Sequence, residues 1–285
     1  MILALVAVLA VQDTSRIAEA QTVLSQLVES YGVSGAEAPV RAVVQRLLPT
    51  WARAETDTAG NLWVRLGQGD GGPVVIVAHM DEIGFRIDSI LTDGSLAIRN
   101  RGGFFPSLFE AKPALIHGER GDIPGIFLPR DTGFTLRAPP PIRVSVGMKT
   151  RAGAESLGVR VGQTITMPKQ YVRLAGTRAT GRSFDDRMGC AALILALRRL
   201  DRTKLKHQVI FVFSVREEIG LEGADAVAHQ LGATVRRGHA SDTFVWGDGP
   251  PQLRDFAGAP LVAGALARAL GNSLGTPPAC GGSRG

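Results

Sequence analysis

The sequence predicts an α/β fold in which a sandwich of strands and helices is interrupted by a small β-rich domain. Continuous apolar runs over 73–80 and 207–215 are typical of strands that are covered on both faces. Strong helical patterns over 185–200 and 221–231 alternate with those strands. Between about 85 and 178, Gly and Pro recur and the apolar runs are short, which indicates a β-rich insert. Strand–helix alternation on both sides of this insert predicts one α/β domain that the insert divides.

The predicted organisation has five segments. Residues 1–12 are apolar but too few to span a bilayer, and we interpret them as a remnant of a signal peptide or as a first element that packs on the core. Residues 13–84 and 179–273 form the two parts of the α/β domain, and residues 85–178 form the insert between them. Residues 274–285 have no apolar period and are expected to be a disordered tail.

Two helices and a strand are expected before the buried strand over 73–80. Helical periodicity runs over 13–31, and Gly32 ends it. Ser34 and Glu37 have the spacing of a capping box, which predicts the start of a second helix. The alternating segment 60–67 predicts a strand.

The composition is that of an ordinary globular enzyme, with 285 residues of which 45% are apolar and 20% are charged. The net charge is +6, but Lys and Arg form no run longer than a pair, which argues against a nucleic-acid partner. No apolar run reaches membrane length, so no membrane partner is expected. The two cysteines, Cys190 in a helical pattern and Cys280 in the tail, have no metal-binding or redox spacing.

One histidine and one acid stand at the end of a predicted strand. His79 follows the apolar run 74–78, and Asp81 lies two residues further on. Ligands of open α/β sheets bind beyond the carboxyl ends of the strands, so these side chains are placed for function. A carboxylate on one ring nitrogen orients a histidine that binds metal through the other. The spacing therefore indicates His79 as a metal ligand and Asp81 as its orienting partner, with a structural histidine as the alternative.

Two pairs of adjacent acids are further candidates. Asp185 and Asp186 open a predicted helix, either as metal ligands or as residues that cap the helix and match its dipole. Glu217 and Glu218 follow a predicted strand, on which neighbours point to opposite faces. Both can reach one crevice if the chain turns at Gly220. One Glu would then bind metal and the other would act as a general base, the alternative being a solvated loop.

Asp242 begins the segment DTFVWGD, which we interpret as a strand that leads into a loop. With Asp248 it either binds metal or forms a turn. A set of one histidine and several carboxylates suits zinc, cobalt or manganese rather than a thiolate site. The remaining histidines are weaker candidates, since they lie in the insert, before a strand, in a helix and in a polar turn; they are His117, His207, His229 and His239.

Four motifs follow one another along the chain: AHMDEIGF, FDDRMG, REEIGLEGA and DTFVWGDGP. In that order and at these separations, the sequence resembles the TET-type dinuclear metallo-aminopeptidases. These form family forty-two of the metallopeptidases and are often labelled glutamyl aminopeptidase or cellulase. The resemblance extends from about residue 17 to residue 277. It implies a three-layer α/β/α metallopeptidase sandwich whose two catalytic parts flank an inserted small β-barrel of PDZ-like type.

The same resemblance implies a role for each candidate residue. Glu217 is implied as the general base, and Asp81 as the residue that orients a histidine ligand. The implied metal ligands are His79, Asp185 as the bridge between two metals, Glu218 for the second metal and Asp242 for the metal of His79. The cofactors implied are two divalent ions, zinc or cobalt. The reaction implied is removal of amino-terminal residues from peptides by an activated water.

The resemblance further implies a homo-oligomer in which the insert forms dimers that build to a dodecamer. It implies a cytoplasmic location, unless the apolar first residues direct the chain to the periplasm or out of the cell.

One feature departs from the family pattern. The family closes its second metal site with a histidine near the C-terminus, whereas no histidine follows His239 here. We interpret this as a C-terminally truncated or frame-shifted gene product that binds its second metal more weakly. Two alternatives remain open: an inactive relative that binds peptides or assembles through the insert, and another hydrolase on the same scaffold, such as a carboxypeptidase or a deacylase.

Overall fold

The computed structural model describes residues 2–69, 71–130 and 140–243. The helices of this part are α1 (Ile2–Glu29), α2 (Ala38–Leu47), α3 (Arg151–Ser156), α4 (Phe184–Arg199) and α5 (Glu222–Leu231). Its strands are β1 (Ala54–Thr56), β2 (Leu62–Leu66), β3 (Val74–His79), β4 (Gly84–Ile90), β5 (Leu96–Arg101), β6 (Pro113–Gly118), β7 (Gly121–Phe127), β8 (Arg143–Ser145), β9 (Thr164–Thr166), β10 (Val172–Arg173), β11 (Ala179–Thr180), β12 (Val209–Ser214) and β13 (Arg237–Ala240).

A five-stranded sheet in the order β1-β2-β12-β3-β13 forms the centre of the α/β domain. Strands β12 and β13 both run parallel to β3 and flank it on either side. The register pairs Ser214 with His79, and Ala240 with Val77. Because parallel strands end at the same edge of a sheet, the loops that follow β3, β12 and β13 meet at one place.

Helices cover both faces of this sheet, which confirms the predicted three-layer α/β/α sandwich. The apolar residues of β12 alternate between the two faces, as the period of a strand requires. Phe211 and Phe213 pack with α1, α2 and α4, whose buried residues include Val23, Leu27, Val40, Val44, Ile194 and Leu197. Ile210 and Val212 pack on the other face against Val227 of α5. The continuous apolar run in the sequence therefore reflects burial on both sides.

The insert contains a closed six-stranded barrel in the order β4-β5-β8-β7-β6-β9, so the predicted small β-barrel is confirmed. Its strands lie between residues 84 and 166, and the hairpin of β10 and β11 follows. Aromatic rings fill the barrel: Phe85 meets Phe104 and Phe109 edge-to-face at centroid distances of 5.1 and 4.9 Å. Such pairs add to the stabilisation from apolar burial. The barrel therefore has a core of its own, separate from that of the sandwich.

The predicted start of the second helix is wrong. Ser34 does not begin α2; the helix begins at Ala38, because Pro39 fits the first helical turn and not its interior. Glu37 instead accepts hydrogen bonds from the backbone N–H of Gly35 (2.7 Å) and of Arg216 (3.1 Å). The capping-box spacing was therefore coincidental.

One strand near the site was not predicted. Strand β13 covers Arg237–Ala240 and includes His239, which the sequence had placed in a polar turn. Among the described residues it pairs with β3 alone, and it is mostly exposed, so it lacks the apolar run by which a buried strand is recognised. The rest of the predicted strand after Thr243, together with Asp248, Cys280 and the predicted tail, lies outside the described residues.

The N-terminal helix is longer than the periodicity indicated. Helix α1 includes residues 2–12 as well as the predicted segment from 13. None of the helices within the described ranges combines the length and the apolar character needed to cross a membrane.

Candidate metal centre

His79 is the last residue of β3, and its ring is held at the edge where the parallel strands end. The side chain is only 3% exposed, and its Nδ1 atom lies 3.2 Å from Asp81 Oδ1. This contact fixes the orientation of the ring and leaves Nε2 free to face the site. The structure thus brings His79 and Asp81 together as the sequence predicted.

Two further carboxylates approach the same ring nitrogen. Asp185 Oδ1 lies 3.0 Å from His79 Nε2, and Asp242 Oδ1 lies 4.0 Å from it. One ligand atom from each of the three side chains falls within 4.8 Å of the others. Asp242 reaches this position because it follows β13, which ends beside β3. One imidazole and two carboxylates at this spacing form a donor set that suits a divalent ion such as zinc, cobalt or manganese.

The two adjacent aspartates have different positions. Asp185 and Asp186 have non-helical backbone angles, so α4 becomes regular only after them. Asp186 Oδ1 accepts the backbone N–H of Gly189 at 2.9 Å, which caps the helix. The capping alternative therefore describes Asp186, while Asp185 faces His79.

Asp81 organises the acidic pair as well as the histidine. Its Oδ1 accepts the backbone N–H of Glu217 at 3.1 Å, and its Oδ2 accepts the backbone N–H of Glu218 at 3.2 Å. The carboxylate is fully buried. It links the loop after β3 to the loop after β12. The sequence indicated its contact with His79 but not its contacts with Glu217 and Glu218.

The side chains of the acidic pair differ in their surroundings. Glu217 Oε2 lies 3.9 Å from His79 Nε2, next to the three-residue cluster. Glu218 is outside that cluster, and the Cβ atom of Glu218 lies beside Gly102 of the barrel. Gly220 takes a positive φ of 129°, and its N–H binds the carbonyl of Glu217 at 3.0 Å, as the predicted turn requires.

Several carboxylates of the site have raised pKa values, chiefly because they are buried and in part because they repel one another. Burial raises the pKa of Glu218 to about 7, and the charge of Asp185 adds to the effect. Burial also raises the pKa of Glu217, and the negative charge of Asp242 raises it further. Burial raises the pKa of Asp186 to about 8. So many acids around one crevice are costly without a cation between them.

The pKa of His79 is raised as well, and for a histidine this favours the charged form. Burial alone would lower the pKa of its imidazole, but the hydrogen bonds to Asp185 and Asp81 outweigh burial and raise the pKa to about 11. The hydrogen bond from His79 lowers the pKa of Asp185 in spite of burial. Without a metal, a proton on His79 therefore balances part of the negative charge.

Two further buried side chains lie near the site residues in the sequence or the structure. The burial of Glu82 was not predicted, whereas that of Cys190 was. Glu82 follows Asp81 in the same motif, yet its 1% exposure could not be read from a loop position. Cys190 is buried as predicted, and its Sγ lies 3.2 Å from the carbonyl oxygen of His79. Among the described residues, the four other histidines take no part in the cluster.

A family model described as M42 glutamyl aminopeptidase matches residues 60–273, which include every candidate residue. The chain belongs to the M42 family. It is 32% identical over 212 residues to a lysyl aminopeptidase of Pyrococcus furiosus, covering 70% of this chain and 60% of the relative. It is 29% identical over 236 residues to a glutamyl aminopeptidase of Lactococcus lactis, covering 76% of this chain and 66% of the relative.

Solved structures of the M42 type have the same fold. An aminopeptidase from Desulfurococcus kamchatkensis gives a TM-score of 0.74 at 26% identity, covering 82% of this chain and 66% of that one. The TET1 peptidase of Pyrococcus horikoshii, which assembles into a tetrahedron or an octahedral shell, gives 0.70 at 29% identity, covering 80% and 72%. The chain spans less than two thirds of the length of the first curated relatives it matches.

Proposed function

We propose that this chain is a metal-dependent aminopeptidase that hydrolyses amino-terminal residues from peptides. The observation that carries the proposal is the cluster of His79, Asp185 and Asp242 at the sheet edge, with Glu217 beside it. Membership of the M42 family supports the proposal, as do relatives named lysyl and glutamyl aminopeptidase.

We propose that the site binds two divalent ions, for which zinc and cobalt are the leading candidates. His79 and Asp242 would hold the first ion, Glu218 would hold the second, and Asp185 would bridge them. Mutual repulsion of these carboxylates supports this assignment, because cations relieve it. When bound, the ions supply Lewis-acid polarisation of the peptide carbonyl and acidify a water molecule.

Proton transfer is the task of Glu217. In the proposed reaction, its carboxylate takes a proton from the attacking water and returns it to the nitrogen of the leaving amine. A raised pKa brings this carboxyl closer to the pH at which an acid–base catalyst works well. Asp81 takes no proton; it keeps His79 oriented and holds the backbone of Glu217 in place.

The barrel is proposed as the assembly domain. Residues 85–178 would form dimers that build to a dodecamer, and 13–84 with 179–273 would form the catalytic unit. The assemblies described for the TET1 peptidase support this arrangement. Analytical ultracentrifugation of the full chain tests it, since a dodecamer and a monomer differ twelvefold in mass.

An assay with paired substrates tests the activity. Peptides with a free amino terminus and the same peptides N-acetylated are offered to the chain loaded with zinc or cobalt, and the released products are identified. Release of the amino-terminal residue from the free peptide alone is the expected result. Release of acetate would indicate a deacylase, release of the carboxy-terminal residue a carboxypeptidase, and metal binding without turnover a non-catalytic relative.

Metal binding should release protons. A histidine binds metal as neutral imidazole, and the pKa of His79 in the metal-free chain is about 11. Between pH 6 and 8 we therefore expect about one proton released by His79, and an apparent zinc affinity that rises about tenfold per pH unit. Titration calorimetry in buffers of different ionisation enthalpy counts the protons.

A matched variant controls for the other histidines. His117→Gln removes an imidazole that lies in the barrel and contacts Asp122 at 2.9 Å, so it should leave the proton count unchanged. Zinc binding that releases no proton would contradict the assignment of His79 as a ligand.

A further inference from the structure

A second buried carboxylate adjoins Asp81 in the chain. Glu82 follows Asp81 and is 1% exposed. Its Oε1 accepts hydrogen bonds from Lys169 Nζ at 2.7 Å and from the backbone N–H of Gly32 at 2.8 Å. Its Oε2 accepts the hydroxyl of Ser183. The proposed chemistry uses none of these contacts.

Lys169 is the central cation among the residues that contact Glu82, which we call the Glu82 cluster. Its side chain is fully buried, and its Nζ also donates to the carbonyl of Ser30 at 2.8 Å and to Ser183 Oγ at 3.4 Å. It stands over the ring of Tyr31, 4.9 Å from the centroid. Burial lowers the pKa of Lys169 to about 7, although the charge of Glu82 opposes the shift. An ammonium group in such a place is expensive to bury.

The cluster joins the two chain segments that bear the metal site. Asp81 immediately precedes Glu82, and Asp185 lies two residues after Ser183. Ser183 has a positive φ of 65°, so its backbone needs support from its surroundings. Because Glu82 binds Ser183, the positions of Asp81 and Asp185 depend on the same set of hydrogen bonds.

Lys169 connects the barrel to the Glu82 cluster. It lies on the segment that leads from β9 of the barrel back to the sandwich. A second cation, Arg187 of α4, has its Nη2 3.5 Å from Glu82 Oε1 and donates from Nη1 to the carbonyl of Leu27 at 3.2 Å. Two cations on one buried carboxylate bind it in one geometry, since breaking either contact leaves a charge poorly compensated.

We propose that Lys169 is a positioning residue for the metal centre, which it serves by tying the Asp81–Glu82 segment and the Ser183–Asp185 segment to each other and to the barrel. This inference rests on the proposed function, because it assumes that the site binds metal. In other metal sites, loss of a residue that holds the metal ligands in place lowers metal affinity by about 10- to 100-fold.

The experiment measures Zn²⁺ affinity of the full metal-free chain by competition with a chromophoric chelator. Lys169→Met keeps most of the length of the side chain and removes its charge and donors. We expect an affinity about 10- to 100-fold lower and a changed visible spectrum of the Co²⁺-loaded chain, with the far-UV circular dichroism retained. If the unaltered chain binds no Zn²⁺, the proposed function fails; if it binds and Lys169→Met binds equally well, only this inference fails.

A charge-pair control separates positioning from general loss of stability. Arg130→Met breaks the ion pair with Glu110, whose Nη2–Oε1 distance is 2.5 Å, within the barrel and away from the cluster. It should leave Zn²⁺ affinity unchanged; an equal loss in this variant would overturn the inference.

Two more variants make the test independent of whether Lys169→Met folds. Ser183→Gly suits the positive φ and removes the side chain with its hydroxyl, and it should lower Zn²⁺ affinity by several-fold. Combining Glu82→Gln with Lys169→Met should cost less than the sum of the two single losses, because both residues act through one contact. An unchanged affinity in Ser183→Gly, or strict additivity in the double variant, would overturn the inference.

Discussion

Glu217→Gln is expected to lower kcat for hydrolysis of an unblocked peptide by about 10²- to 10⁴-fold, while the metal content of the chain stays unchanged. Glutamine keeps the size of the side chain and the backbone N–H that binds Asp81 at 3.1 Å. It cannot take a proton from water at neutral pH. Since Glu217 is not among the three clustered ligands, metal content measured by mass spectrometry should be that of the unaltered chain.

Two comparison variants sharpen this result. Glu218→Gln removes the ligand proposed for the second ion and should lower metal content as well as kcat. Glu222→Gln changes an exposed glutamate of the same turn, which pairs with Arg216, and should alter kcat by no more than about twofold. Identical behaviour of Glu217→Gln and Glu218→Gln would contradict the division of the pair into base and ligand.

The sequence predicted the central strands of the sheet and the contact between His79 and Asp81 because these signals are local. The run that forms β12 is apolar on both faces, and the structure buries Phe211 and Phe213 on one side and Ile210 and Val212 on the other. His79 and its orienting acid are two residues apart, so one spacing contains the whole contact. Predictions of this kind need no knowledge of how distant segments meet.

The contacts that the sequence could not reveal join distant segments. Asp81 receives the backbone N–H groups of Glu217 and Glu218, more than a hundred residues away, and backbone donors have no residue signature. The distinct positions of Asp185 and Asp186 depend on backbone angles at the start of α4. Strand β13 is mostly exposed and has no apolar run, so Asp242 was predicted as a candidate without the strand that places it.

Asp81→Asn should lower zinc affinity by about 10- to 100-fold and reduce turnover with it. The carboxylate contacts His79 Nδ1 and Glu217 N–H through Oδ1, and Glu218 N–H through Oδ2. An asparagine has one carbonyl oxygen, so its NH₂ group would face at least one of these donors. A buried donor without an acceptor costs about 1–3 kcal/mol, and the strain falls on the ligand and the base together.

A second aspartate gives the matched control for this change. Asp93 also accepts a backbone N–H, that of Ser95 at 3.0 Å, but it lies in a barrel turn. Asp93→Asn should leave zinc affinity and turnover unchanged. The effect of Asp81→Asn should also differ from that of Glu217→Gln. A His79 ring that is no longer oriented binds metal more weakly, whereas loss of the base at Glu217 leaves metal binding unchanged. If Asp81→Asn kept its zinc affinity and lost only turnover, Asp81 would act in proton transfer and not as the residue that orients His79.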